Sequence, residues 1–194
     1  MIEIVRAKEI VQKPALKQGV EKYLFIMNRL HAVDVSSDQE FQNTYRAFYQ
    51  MRRFYSDDFA RRYFKIMEEI KNTPEMSFKM ALERIKHIQS RLEISFSSKM
   101  AHTINPLNPI WDSVVTKKHF RVYPPTAKAP DRERAACDRY EVYVDRFYDY
   151  MASEEGMSVL RVFDQAFPGS GISDVKKIDF VLWQDRENNK RRSL

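Results

Sequence analysis

Glycine is the residue whose scarcity most limits how this chain can fold. Its 194 residues include only four glycines, at positions 19, 156, 169 and 171. Dinucleotide-binding folds and P-loop folds need clustered glycines, because their backbones must approach a phosphate closely. A β-sandwich needs many tight turns, and glycine is the usual residue where a turn requires a positive φ. The sequence therefore excludes the first two classes and disfavours the third.

Apolar residues recur at helical spacing along almost the whole chain. One stripe covers residues 16–30, and the stripes that follow begin after residues that often cap helices, such as Asp38, Ser56 and Ser173. This pattern predicts an all-α fold. We expect a compact bundle of roughly eight to ten helices, arranged as two closely packed lobes.

The length of the chain is typical of a single domain, here residues 1–194. Hydrophobic residues make up 43% of the chain, which is enough to build a core. The Pro-rich segment 123–130 is the one candidate for a boundary between lobes. Cys137 is the only cysteine, so the sequence predicts neither an intramolecular disulfide nor a Cys-based metal site. The histidines show no metal-ligand spacing, and we expect neither a metal nor a cofactor.

The charge balance bears on the partners of the protein. Lys and Arg number 33 against 27 Asp and Glu, which gives a net charge of +6. This surplus is compatible with a polyanionic partner such as DNA. The N-terminal residues mix charged with apolar side chains, unlike a signal peptide, and no apolar run approaches the roughly 18 residues of a membrane helix. The sequence therefore predicts a cytoplasmic protein without membrane contact.

Arginines are interleaved with aromatic residues around positions 51–55 and 61–63. Guanidinium groups bind phosphate, and aromatic rings stack on unpaired bases, so such segments can bind nucleic acid. The candidate nucleic-acid contacts are Arg52, Arg53, Arg61 and Arg62. The alternative is that the aromatic residues belong to the core and the arginines lie on solvated helix faces.

The segment most suited to chemistry centres on Lys99 and Asp112, which are 13 residues apart. The sequence predicts a short helix over 97–104 and another that begins near Trp111, joined by a turn with two Asn-Pro pairs. Two such helices can bring both side chains into one cleft. Burial and the positive end of a helix dipole lower a lysine pKa and leave a nucleophilic amine. The alternative is a solvated lysine and an aspartate that only caps a helix.

Two stretches around these residues resemble the helix-hairpin-helix DNA glycosylase superfamily. The stretch Ser95-Phe-Ser-Ser-Lys99-Met-Ala101 is similar to the family's Gly-hydrophobic-Gly-x-Lys-x-Ala pattern at the hairpin. The stretch Pro109-Ile-Trp-Asp112-Ser-Val-Val115 resembles the later element that leads to an aspartate near a helix start. The resemblance covers about residues 92–115. Two serines replace the family's hairpin glycines, and the interval from lysine to aspartate is several residues shorter.

The resemblance implies a helix-hairpin-helix glycosylase-like fold and a reaction. Lys99 would be the nucleophile that attacks C1′ of a damaged nucleotide, and Asp112 would assist it. The damaged base would leave, and the resulting Schiff base can lead to strand cleavage.

The resemblance also implies binding residues, because the damaged base must be extruded from the duplex to reach the nucleophile. Lining the base pocket we expect His102, Trp111 and Ser113, and contacting DNA at the hairpin we expect Ser95 and Ser97. The sequence thus predicts a DNA glycosylase or AP-lyase-like enzyme with DNA as its partner. The alternative is a non-catalytic helical module on the same scaffold that binds nucleic acid or another protein.

Overall fold

The computed structural model describes residues 2–51, 55–89 and 91–185. Every regular element within these ranges is a helix, which confirms the all-α prediction. The helices are α1 (Ile4–Val11), α2 (Pro14–Leu30), α3 (Gln39–Phe48), α4 (Asp57–Ile70), α5 (Phe78–Ile85), α6 (Ile94–Ile104), a π-helical turn (Val115–His119), α7 (Arg132–Ala152), α8 (Glu154–Ala166) and α9 (Asp174–Gln184).

Side-chain caps determine where several of these helices begin. Asp38, Ser56 and Ser173 each accept a hydrogen bond from the backbone N–H three residues further on, at the starts of α3, α4 and α9. These contacts satisfy N–H groups that have no partner within the helix. The sequence predicts a cap within residues 35–38, 56–57 and 173–174, and each of these segments provides one.

The apolar stripes do not predict α1, which is only eight residues long. A helix this short is marginal by itself in water, so its stability comes from packing. Its buried residues Ala7, Ile10 and Val11 join a core built largely from the C-terminal helices. The N-terminal segment is thus held by residues more than a hundred positions away in sequence.

The buried apolar side chains form two clusters. The middle cluster consists of residues from 26–110, including Phe41, Tyr63 and Met100. The terminal cluster combines residues from 2–23 with residues from 111–182, joined by three side chains from the intervening segment. Each lobe of the molecule therefore has its own core, and α2 contributes to both.

The Pro-rich segment 123–130 does not separate the two clusters. Val122 and Ala136 lie on either side of this segment, and both belong to the terminal cluster. The chain passes from one cluster to the other inside α2 and again between Ile110 and Trp111. Prolines interrupt a helix without determining which core the flanking residues join, and a lobe boundary at this segment stays a prediction.

We predict that Gly156→Ala destabilises the fold, because an added Cβ would lie 2.1 Å from the carbonyl oxygen of Tyr150. Backbone atoms of α7 cannot move aside as a flexible side chain can, so we expect a loss of about 3 kcal/mol in unfolding free energy. Urea denaturation monitored by circular dichroism measures this loss.

The matched control is Gly19→Ala in α2, where the nearest obstacle is the ring of Phe180 at 3.3 Å. There the gain in helix propensity offsets the tighter contact, so we expect a change below about 1 kcal/mol. Equal effects of the two substitutions would contradict this packing of α7 against α8.

Candidate functional site

A cleft of about 780 Å³ lies where the two clusters meet. Tyr49 and Phe96 line it from the middle cluster, and Trp111 and Phe180 line it from the terminal cluster. Its volume is within the range of roughly 300–1,000 Å³ that is usual for small-ligand sites. The charged side chains that line the cleft are Lys22, Arg91, Lys99, Asp112, Lys176 and Asp179.

Lys99 reaches the cleft from α6 and is only 8% exposed. Its Nζ lies 4.2 Å from the ring centroid of Phe96 and 5.6 Å from that of Tyr49. The carbonyl oxygen of Tyr49, at the C-terminal end of α3, is 3.5 Å from the same nitrogen. Among the described residues, no carboxylate lies within ion-pair distance of this amine.

Burial lowers the pKa of Lys99 to about 8, since an ammonium group loses most of its hydration there. The negative charge of Asp112 opposes this decrease, and the positive charge of Lys176 adds to it. At pH 7 a pKa of about 8 leaves about a tenth of the amine unprotonated and nucleophilic, far more than for an ordinary lysine.

The hairpin expected before Lys99 is absent. Ser95 and Ser97 both lie in the first turns of α6, which begins at Ile94 rather than near residue 97. Ser97 is fully buried, whereas Ser95 lines the cleft. Serine lacks the φ freedom that glycine gives a tight hairpin, and it is compatible with helical geometry. Both serines therefore lie on a helix, and their contact with DNA stays a prediction.

Asp112 lines the same cleft and also begins the next helical segment. Its Oδ1 accepts a hydrogen bond of 2.8 Å from the backbone N–H of Val114. Its carbonyl oxygen accepts another of 2.8 Å from the N–H of Thr116, inside the π-helical turn. Asp112 therefore caps the following helical segment and also lines the cleft that contains Lys99.

Hydrogen bonds fix the segment before Asp112 against two helices. The hydroxyl of Ser98, next to Lys99 on α6, accepts the backbone N–H of Trp111 at 2.9 Å. From α7, the hydroxyls of Tyr140 and Tyr143 donate to the carbonyl oxygens of residues 109 and 110, at 2.7 and 3.0 Å. The lysine and the aspartate are thus positioned relative to each other through the backbone.

A second lysine, Lys176, lies in the cleft and was not identified from the sequence. It is 3% exposed, and its Nζ lies 4.5 Å from the ring centroid of Phe180 and 5.8 Å from that of Tyr49. Its Nζ donates a 2.6 Å hydrogen bond to Oδ2 of Asp179, one turn along α9. The ring of Tyr49 therefore lies close to the amines of both buried lysines, Lys99 and Lys176.

Asp179 is 4% exposed, and burial raises the pKa of its carboxyl group. Its Oδ1 is buried and has no hydrogen-bond partner among the described residues. Charged residues at positions 176 and 179 stand within a stripe that buries Val175 and Ile178. That interruption of an apolar helix face is the sequence signal that could have identified the pair.

His102 does not line the cleft, where the sequence analysis expects it to bind the substrate. The side chain is fully buried, and Nδ1 donates a 2.8 Å hydrogen bond to the carbonyl oxygen of Asn108. Nε2 then accepts from the hydroxyl of Tyr23 at 3.1 Å. The residue anchors the Asn-Pro turn to α2, because an apolar interior requires both ring nitrogens to be paired.

Of the remaining predicted site residues, some line the cleft and others lie outside it. Trp111 and Ser113 both line the cleft, where the sequence analysis expects them. Arg61 and Arg62 lie on the exposed face of α4, each paired with Asp58, and neither lines the cleft. The candidate contacts Arg52 and Arg53 lie outside the described residues.

In residues 2–51, 55–89 and 91–185, no group of three or more His, Cys, Asp or Glu side chains is arranged to hold a metal ion. Over the same ranges, no helix has the combination of length and apolarity that crossing a bilayer requires. Comparison of the chain with protein-family models, curated proteins and solved structures finds no match.

We predict that His102 makes the fold sensitive to acid. Burial lowers its folded-state pKa to about 3, whereas an unfolded histidine titrates near 6.5. Between these pH values only the unfolded chain binds the proton, so stability is lost as the pH falls below about 6.5. The unfolding free energy should therefore decrease from pH 7 to pH 4.5 more steeply in the wild type than in His102→Gln, as measured by urea denaturation.

His102→Gln also loses stability at pH 7, because its amide cannot reproduce both ring hydrogen bonds. The difference between the two pH dependences is therefore the relevant quantity, since it cancels the contributions of all other titrating groups. Parallel pH dependences would contradict a buried neutral imidazole at this position.

Proposed function

We propose that this protein is a DNA glycosylase with lyase activity, in which Lys99 attacks C1′ of an extruded, damaged nucleotide. The observation that carries the proposal is a buried, weakly basic amine on the aromatic wall of a cleft that also contains Asp112. An unpaired lysine in such a position is unfavourable for folding. It is well suited to nucleophilic attack, which requires the neutral amine.

The proposed reaction replaces one bond to C1′ by another. The lone pair of Lys99 Nζ forms a bond to C1′, and the bond from C1′ to the base nitrogen breaks, so that the base leaves with its electron pair and with one of the two protons of Nζ. The nitrogen lone pair then expels O4′, which takes a proton from water, and a protonated Schiff base remains. Asp112 stabilises the positive charge that develops on the sugar and the imine.

The lining of the cleft supports a nucleotide as the ligand. Rings of Trp111, Tyr49 and Phe180 line it, and planar aromatic surfaces stack on an extruded base. Lys22 and Arg91 contribute positive charge at the same cleft, and the whole chain carries +6. Cationic side chains rather than a glycine hairpin would then contact the DNA phosphates, so binding should weaken steeply with added salt.

Borohydride trapping tests the proposal, because it reduces a Schiff base to a stable amine. We expect the wild type to form a covalent adduct with DNA that contains an oxidised base or an abasic site. Lys99→Met should abolish the adduct, since methionine preserves the volume and has no amine. The adduct is detected by denaturing gel electrophoresis, and peptide mass spectrometry identifies the modified lysine.

The control is Lys65→Met on α4, an exposed lysine away from the cleft, which should leave trapping unchanged. We expect Lys99→Met to remain folded, so that a loss of trapping reflects the missing amine. Removing a buried amine with a lowered pKa should raise the unfolding free energy by about 2 kcal/mol.

Two results would reject the proposal. An adduct that survives Lys99→Met excludes this lysine as the nucleophile. DNA binding that is strongly salt-dependent but ignores damage and yields no adduct indicates the alternative, a non-catalytic phosphate-binding module.

A further inference from the structure

Four aromatic rings, from α2, α9 and the C-terminal end of α3, surround the amine of Lys176. The distances from its Nζ to the ring centroids are 4.5 Å for Phe180, 5.0 Å for Phe48, 5.2 Å for Tyr23 and 5.8 Å for Tyr49. The same nitrogen donates its 2.6 Å hydrogen bond to Oδ2 of Asp179. Aromatic faces and a carboxylate both stabilise an ammonium ion. Lys176 is therefore held in the cleft as a fixed positive charge.

Lys99 lines the same cleft but has fewer contacts that stabilise a positive charge. Its Nζ lies near two rings, those of Phe96 and Tyr49, and near the carbonyl oxygen of Tyr49. Across the part of the chain that the structure describes, it has no carboxylate partner of the kind that Asp179 provides for Lys176. Of the two buried lysines, Lys99 is therefore the one whose protonated form is less well stabilised.

The ring of Tyr49 places the two amines in the same small region. Two nitrogens at 5.6 and 5.8 Å from one centroid are separated by no more than about 11 Å, a distance at which two unit charges in a protein still repel each other. Solvent and salt screen this repulsion weakly, because Lys99 and Lys176 are 8% and 3% exposed. A fixed charge on Lys176 therefore disfavours a second charge on Lys99.

Charged and titratable groups from every element around the cleft act on Lys99 or line its cleft. They are Lys22 on α2, Tyr49 at the end of α3, Tyr55 before α4, Arg91 and Glu93 before α6, Asp112 after it, and Lys176 and Asp179 on α9. Asp112 favours the protonated form of Lys99 most strongly among the charges. Lys176 opposes it, and its effect on Lys99 exceeds that of its own partner Asp179. The ion pair on α9 thus acts on Lys99 with its positive end.

We propose that Lys176 is a positioning residue for the reaction: its fixed positive charge repels a proton from Lys99 Nζ and so maintains the nucleophile in its neutral form. This inference rests on the proposed function and names the residue that tunes its nucleophile. Lys176 needs no contact with the substrate, because it acts through Lys99. The role also accounts for a buried ion pair in a place where apolar side chains would stabilise the fold at least as well.

Removing one charge of the pair at a time tests this role, because repulsion predicts opposite effects. In Lys176→Met the titration midpoint of Lys99 should rise by about one pH unit, since the repulsion is lost and the carboxylate of Asp179 remains. In Asp179→Asn the midpoint should fall, since the charge of Lys176 is no longer offset. Mere loosening of the cleft would hydrate Lys99 and raise the midpoint in both variants.

Two readouts follow the midpoint and its consequence. The ¹³C chemical shift of Lys99 Cε against pH gives the midpoint in the protein without DNA. The pH profile of borohydride trapping on abasic-site DNA gives the effect on reactivity. At pH 7, Lys176→Met should trap about tenfold more slowly than the wild type, because about tenfold less of the amine is neutral. The two rates should converge at a pH where the amine is neutral in both proteins, and Asp179→Asn should trap faster than the wild type at pH 7.

The matched control is Lys177→Met, at the next position of α9. Lys177 pairs with Asp164 and Asp174 and does not line the cleft, so its removal should leave the Lys99 midpoint unchanged. The double variant, Lys176→Met with Asp179→Asn, removes both charges of the pair and should give a midpoint between those of the single variants. Circular dichroism checks that each variant retains its helices.

The outcomes are distinct. Midpoints that rise in both single variants, or that do not move in either, would overturn the role of Lys176 while Lys99 remains the nucleophile. No adduct from the wild type would instead overturn the proposed function itself, whereas the midpoints, measured without DNA, still decide whether Lys176 acts on Lys99.

Discussion

The chemistry of the cleft depends on one unfavourable feature, the burial of the Lys99 amine. This side chain is 8% exposed, and its Nζ lies against the rings of Phe96 and Tyr49. Burying a cation without a carboxylate partner opposes folding, and a methionine would fill the same space more favourably. The rest of the site compensates for this placement with carbonyl and ring contacts rather than with an ion pair. A position of this kind suits an amine that must be neutral in order to react.

The order of elements along the chain explains how the cleft forms. The middle cluster lies in sequence between the two main parts of the terminal cluster, so the chain passes between the clusters inside α2 and again after Ile110. Within the middle segment, Phe78, Leu82 and Ile94 also join the terminal cluster. The second crossing, from Ile110 to Trp111, places Asp112 directly at the junction. Lys99 reaches the same junction from the middle cluster, and Asp179 reaches it from the terminal cluster on α9. The charged groups of the site thus meet because the two cores meet.

Sequence patterns that span only a few residues predict much of the fold and part of the site. Helical periodicity and caps such as Asp38 depend on residues within a few positions, so the sequence displays them directly. The shared cleft of Lys99 and Asp112 also agrees with the sequence analysis. The sequence analysis does not identify the Lys176–Asp179 pair, because its spacing is also that of a solvated pair and only its place within an apolar stripe distinguishes it. The burial of His102 is equally hidden from local patterns, since its partners lie on α2 and in a turn.

The central claim is that the Lys99 amine titrates far below an ordinary lysine. NMR with ¹³C-labelled lysine measures this directly, by following the Cε chemical shift against pH and assigning the resonance with Lys99→Met. The account predicts a midpoint near pH 8 for Lys99, while exposed lysines titrate near 10.5. A Lys99 midpoint at 10 or above would contradict the account, because the amine would then be protonated and unreactive at neutral pH.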